Sequence, residues 1–228
     1  MGPHPAPPSV RSAFHDELDQ LHVQVELMGV RVDQNLERML QVLDGAGPGV
    51  VEGALAADDE IDAMHVSLLE RCYRLLGREA PMLSDLRFIV SVVRILSELE
   101  RVGDLALRVV KLAPQADLLA GSGIAWDIVR TLAGTAVEQY RTALRAWSTQ
   151  DLGLASHLAE DRPHVASHLE RLMGELRRLD GPDAVRVAMG VYVAGQAVDR
   201  IADHAMIVGA RLRYLITGEA AHLAAEVR

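Results

Sequence analysis

Sulfur and aromatic side chains are scarce in this chain. A single cysteine, Cys72, stands among 228 residues. No disulfide can form within the chain, a usage that fits a reducing compartment such as the cytoplasm. Aromatics make up only 4%, so the apolar half of the chain is mostly Leu, Val and Ala, which suits helix-on-helix packing. No apolar run reaches the roughly 18 residues expected of a membrane span. The opening MGPHPAPPSV lacks both a basic leader and an apolar stretch. It reads as an extended tip rather than a secretory signal. Positive charge is also short: 23 Lys and Arg face 32 Asp and Glu, a formal charge of −9. That argues against sequence-independent nucleic-acid binding, which needs a basic face. It leaves open a basic protein patch or metal cations as partners. The chain has no Gly-x-Ser-x-Gly elbow, no phosphate-cradling glycine loop, no Cys-x-x-Cys and no His-Glu-x-x-His.

What the chain does have is helical periodicity almost throughout. Phe14, Leu18, Leu21, Val25, Met28, Val32, Leu36, Met39 and Leu43 recur at three- and four-residue steps, predicting a helix over 10–44. DGAGPG at 44–49 breaks it. A second helix is expected over 50–77, with Ile61, Leu68, Cys72, Leu75 and Leu76 on one stripe. Pro81 suits the first turn of a third, which runs to about 113. The segment 114–123 reads as a linker, and the plan then recurs with helices over 124–149, 153–179 and 183–217. No strand is expected. Short loops make neighbouring helices antiparallel, so the chain reads as all-α: six long helices forming two tandem, pseudo-symmetric three-helix bundles, 10–113 and 122–217.

A pair of acids marks each half. ERVGDLA at 100–106 places Glu100 and Asp104 four apart, on one helix face. DRIADHA at 199–205 repeats the pattern with Asp199 and Asp203, each 99 positions after its counterpart. A period near half the chain length implies duplication rather than a solenoid. Both motifs sit in very apolar helices, so Asp104 is expected to be at risk of burial and in need of a cation. Arg101 and Arg200 follow the first acid of each pair and are expected to meet acids on a neighbouring helix. Gly103 and Ala202 leave room for another backbone or an ion. Asp58 and Asp62 repeat the four-residue spacing on the second helix. Asp161 occupies the matching place on the fifth, where Val165 replaces a second acid. Oxygen-only ligands suit hard cations such as Mg²⁺, Mn²⁺, Ca²⁺ or Fe³⁺. The bland alternative is a pair of wet acidic faces.

The remaining singular residues read as structural. Asp62-x-x-His65 and Asp161-x-x-His164 imitate half of a di-iron motif, at a spacing too common to be specific. His204 is expected at the surface or behind a ligand, Cys72 in the core, and Trp126, Trp147, Tyr192 and Tyr214 as core or interface anchors.

With these residues in view, the chain resembles the PhoU family of bacterial regulators of phosphate uptake. RSAFHDELDQL…LMG, DDEIDAM, APMLSDLRFI, LERVGDLA, VDRIADHA and RLRYLITGE are each similar to family segments in the same order. Where the family often carries Asn four residues after the second acid, this chain has Arg108 and Ile207. The resemblance implies metal clusters on a carboxylate-lined face, holding Mg, Mn, Fe or Zn. Carried over, the ligands would be Glu100, Asp104, Asp199 and Asp203, with Asp58, Asp62 and Asp161 as further candidates and Arg101, Arg200 and Arg108 balancing charge. It further implies a cytoplasmic, non-enzymatic negative regulator of phosphate-responsive signalling, often a homodimer. Such a regulator links a phosphate ABC transporter to a sensor histidine kinase and reaches the membrane only through its partners. Two other functions compete: a carboxylate-metal enzyme such as a phosphohydrolase or di-iron oxidase, and a purely structural adaptor that docks a partner helix.

Overall fold

The computed structural model describes residues 10–78, 82–160 and 162–227. Among them every regular element is helical. α1 spans Val10–Leu43, α2 Gly49–Arg78 and α3 Leu83–Val110. A 3₁₀ turn, Ala113–Gln115, and the short α4, Ala116–Ala120, lead to α5 over Ile124–Thr149. α6 covers Leu152–Glu160, α7 Arg162–Leu176 and α8 Ala184–Thr217, followed by 3₁₀ turns over Ala220–Val227. At 34 residues, α1 and α8 each run about 50 Å. Among the described residues no helix is long and apolar enough to cross a membrane.

The sequence rules account for most of these limits. The nine apolar positions of the α1 stripe, Phe14 to Leu43, are all buried. Asp85 accepts the Met82 N–H at 3.2 Å at the start of α3. Asp151 takes the Gly153 and Leu154 N–H groups at 2.7 and 3.0 Å as the side-chain cap of α6. Gly218, at φ +77°, stops α8 in the left-handed region that glycine adopts without strain. Two expectations need correction. The 114–123 linker is itself mostly helical. Tyr192 is 41% exposed, facing outward from α8 rather than anchoring the core. The fifth expected helix is described as α6 and α7, on either side of residue 161, which lies outside the described residues. Pro81 lies outside the described residues.

α1, α2 and α3 pack on one another, and α5 to α8 do the same. The two halves then meet along two seams, α3 against α8 and α1 against α5, so that one continuous apolar core runs through both. Each Leu, Ile or Met fully enclosed there contributes about 1.5–3 kcal/mol of transfer free energy. The α1–α5 seam adds polar stitches. Tyr140 donates to the Gly29 carbonyl at 2.8 Å, Trp126 to that of Leu43 at 3.1 Å, and Arg141 meets Asp33 at 2.9 Å as well as Glu37. Cys72 is fully enclosed, and burial pushes its thiol up to about 11.

Close approach of α8 to α6 depends on Gly209. A Cβ there would stand 2.9 Å from a Leu158 methyl and 3.2 Å from the Ala155 carbonyl oxygen, which is backbone and cannot rotate away. Gly209→Val should therefore destabilise the protein by about 1–3 kcal/mol. Urea unfolding would show it as a lower midpoint at unchanged slope; an unchanged midpoint would mean that this seam is looser than described.

Candidate functional site: an acidic α2–α3 face beside a polar α3–α8 seam

α3 is the helix that both functional faces share. On the side toward α2 it presents Glu100, Gly103 and Asp104; on the side toward α8 it presents Arg94, Glu98 and Arg101. Gly103 is what brings α2 close: a Cβ there would lie 3.5 Å from Ile61 Cδ1 and 3.8 Å from Asp58 Oδ1. The Asp58 carboxyl, half-buried at this contact, shares its surroundings with Asp104 and Asp62. Burial, then repulsion from Asp104 and Asp62, pushes Asp58 up to about 6, against a smaller pull from Lys111. Burial and the same two neighbours also raise Glu100 above the ordinary carboxylate range, while Arg101 and His204 oppose the shift. Four of the expected acids thus gather into one electrostatic cluster across α2 and α3.

Other expectations fare differently. Asp104 is exposed, not buried; apolar residues do not guarantee coverage along this helix, since Leu86 and Val90 of α3 are 40% and 44% exposed. Asp199 and Asp203 lie half-buried on α8, and Asp161 lies outside the described residues. Of the second copy of the motif, the described residues include the two acids on α8. Among the described residues no set of three or more His, Cys, Asp or Glu side chains is arranged to hold one metal ion. The four α2–α3 carboxylates share a field without converging on a point. Their donor chemistry, oxygen only and mutually repelling, nonetheless suits a hard cation, which would relieve that repulsion.

Sequence reasoning missed the most enclosed polar group of the region. Glu98 is fully buried. Its Oε2 accepts from Nδ1 of His204 on α8 at 2.5 Å, and its Oε1 accepts from Arg94 at 2.9 Å and, longer, from Arg101 at 3.5 Å. A carboxylate can only accept, so the histidine hydrogen sits on Nδ1. His204 is thus buried in the seam between the halves, not at the surface. Arg101 pairs within its own helix rather than across to a neighbour. The signal that could have found the set was RILSELER at 94–101. Glu98 lies there among Ile95, Leu99 and Val102, with arginines four before and three after. Arg108 and Arg200, expected to balance the acids, pair with no carboxylate among the described residues. They face a cleft of about 640 Å³ between α3 and α8, beside Arg101, Asp104, Gln196 and His204.

Comparison with known proteins bears on this arrangement. Residues 15–113, the α1–α3 half with the acidic cluster, match the PhoU domain model. The phosphate-specific transport system accessory protein PhoU homolog of Pseudomonas aeruginosa is 28% identical over 211 residues, covering 92% of this chain and 87% of that protein. The crystal structure of PhoU from the same organism superposes with a TM-score of 0.85 at 28% identity, over 90% of this chain and all of that one. A PhoU domain thus spans α1–α3, and over most of its length the chain is similar to PhoU proteins. Its similarity extends to the Escherichia coli phosphate-specific transport system accessory protein PhoU, 20% identical across 92% of this chain and 88% of that protein. PhoU of Streptococcus pneumoniae, at 22% identity and a TM-score of 0.79, shares the fold. The helical-bundle architecture read from periodicity is thus the family's own.

The acidic cluster carries a sign-definite pH dependence. Asp58 holds its proton up to about pH 6 in the folded state, against 3.8 for a free aspartate side chain. Between those values the folded protein binds more protons than the unfolded, so stability falls as pH rises through that window. In the presence of a chelator, Asp58→Asn should raise stability at pH 7.5 by about 1 kcal/mol, the full shift being discounted for partial solvent screening. The gain should vanish at pH 4. Thermal melts at both pH values read it, and a variant less stable than the parent at pH 7.5 would contradict the repulsion.

Proposed function

We propose that this protein is a metal-binding, PhoU-family negative regulator of phosphate transport. In this reading it works in the cytoplasm, as a homodimer, as an adaptor between a phosphate ABC transporter and a sensor histidine kinase. The observation that carries the metal part is the acidic cluster. Asp58, Asp62, Glu100 and Asp104 repel one another at a seam that Gly103 keeps narrow. A divalent or trivalent ion such as Mg, Mn, Fe or Zn would offset that repulsion once the side chains converge on it. Asp199 and Asp203 would offer a second, poorer set, with Asp161 a further candidate. The transport part is supported by relatives whose names describe accessory and regulatory proteins of phosphate transport rather than enzymes. An ion here would act as a clamp between α2 and α3 and neutralise a surface that otherwise repels acidic partners.

Two measurements test the parts separately. After loading with each metal in turn, elemental analysis should find bound ion in the parent protein and less in Asp58→Asn/Asp104→Asn, with helicity unchanged. No metal under any loading would remove the ion from the account. Affinity capture with cross-linking from phosphate-replete cells should recover phosphate-transporter subunits and a sensor kinase. Recovery of neither would contradict the adaptor role whatever the metal result.

A further inference from the structure

We propose that the cleft between α3 and α8 is a binding site for condensed phosphate anions, of which pyrophosphate is the smallest. This goes beyond the adaptor reading and needs neither a bound cation nor a protein partner. The chain is acidic overall, at −9, yet three guanidinium groups, Arg101, Arg108 and Arg200, line this one cleft against a single carboxylate, Asp104, and no other acid. Arg108 and Arg200 are exposed and pair with no carboxylate among the described residues. Arg101 is only loosely committed. Its contact with Glu98 is 3.5 Å, whereas that carboxylate is already held by Arg94 at 2.9 Å and His204 at 2.5 Å. Releasing Arg101 toward a ligand therefore leaves Glu98 satisfied.

The spacing selects the anion. Arg101 and Arg108 are seven residues apart, two turns along one face of α3, or about 10 Å of axial rise. Arg200 stands opposite on α8, with the Gln196 amide one turn away on the same face. A lone tetrahedral anion meets one end of that row. Two or three linked phosphates run along it and present paired oxygens to successive guanidinium forks, the bidentate geometry in which arginine surpasses lysine. At about 640 Å³ the cleft lies in the ordinary range for small-molecule sites, larger than orthophosphate requires.

Isothermal titration of chelator-treated full-length protein with orthophosphate, sulfate, pyrophosphate, tripolyphosphate and an oligoglutamate peptide tests this. Pyrophosphate and tripolyphosphate should bind, and orthophosphate and sulfate should bind about tenfold or more weakly. Arg108→Gln and Arg200→Gln should each weaken tripolyphosphate about tenfold at unchanged melting temperature, and Asp58→Asn should not weaken it. The proposal is overturned if sulfate or orthophosphate binds as tightly as pyrophosphate, or if both arginine variants bind like the parent. Tighter binding of oligoglutamate than of tripolyphosphate would also overturn it, marking the cleft as a docking site for an acidic segment.

Discussion

A carboxylate fully enclosed between two helix bundles must be matched group for group, and the arrangement around α3 follows from how Glu98 is matched. His204 from α8 takes one oxygen and Arg94 the other. Removing a buried partner costs far more than a surface pair contributes, because the remaining charge is left in a poorly solvating interior. A pair matched in this way favours one register between the halves. Fixing that register sets which face of α3 turns outward. Arg101 and Arg108 come to line the cleft opposite Arg200, with Asp104 between them at its border with the acidic cluster, while Glu100 is left for α2.

The two faces of α3 consequently differ in how their charges are handled. Toward α8 the acid is buried and satisfied. Toward α2 the acids are half-buried (Asp58, Glu100) or exposed (Asp62, Asp104) and set against one another, with Asp58 raised to about 6 by burial, Asp104 and Asp62. A protein selected only for stability would not keep such a cluster, since replacing one member with a neutral residue lowers the repulsion. Conflict between local stability and residue choice is a mark of a functional surface. Its position at a glycine-narrowed helix contact suits a role in which an added charge changes how tightly α2 is held.

Much of this was legible in the sequence, and what was not has a physical cause. The α1 stripe was readable because a three-four repeat over nine positions admits one helix face, and all nine are buried. The Asp58–Asp62 and Glu100–Asp104 pairs were readable as faces, and Gly103 as the small residue that allows close approach. Their meeting is tertiary but follows from antiparallel neighbours. Asp104 was misjudged because apolar content was equated with coverage, whereas Leu86 and Val90 stand open to solvent. Of the two places expected for His204, the surface is ruled out by its burial; its position next to Asp203 says only that it points elsewhere, and whether that is solvent or core depends on what α3 offers opposite. Glu98 went unnoticed because two acids sit two residues apart in SELE, and only the paired one drew attention. The arginine-lined cleft lies between helices 99 positions apart in the repeat, beyond the reach of local pattern.

On this structure the α3–α8 register is held by the Glu98–His204 pair rather than by apolar burial alone. A double-mutant cycle with Glu98→Gln, His204→Ala and the double variant, followed by chemical denaturation near neutral pH, tests it most directly. The account predicts a coupling free energy of about 2 kcal/mol or more between the two positions. It also predicts that each single variant loses most of what the double variant loses. Additive losses, with coupling below about 0.5 kcal/mol, would contradict it and return the seam to its apolar side chains.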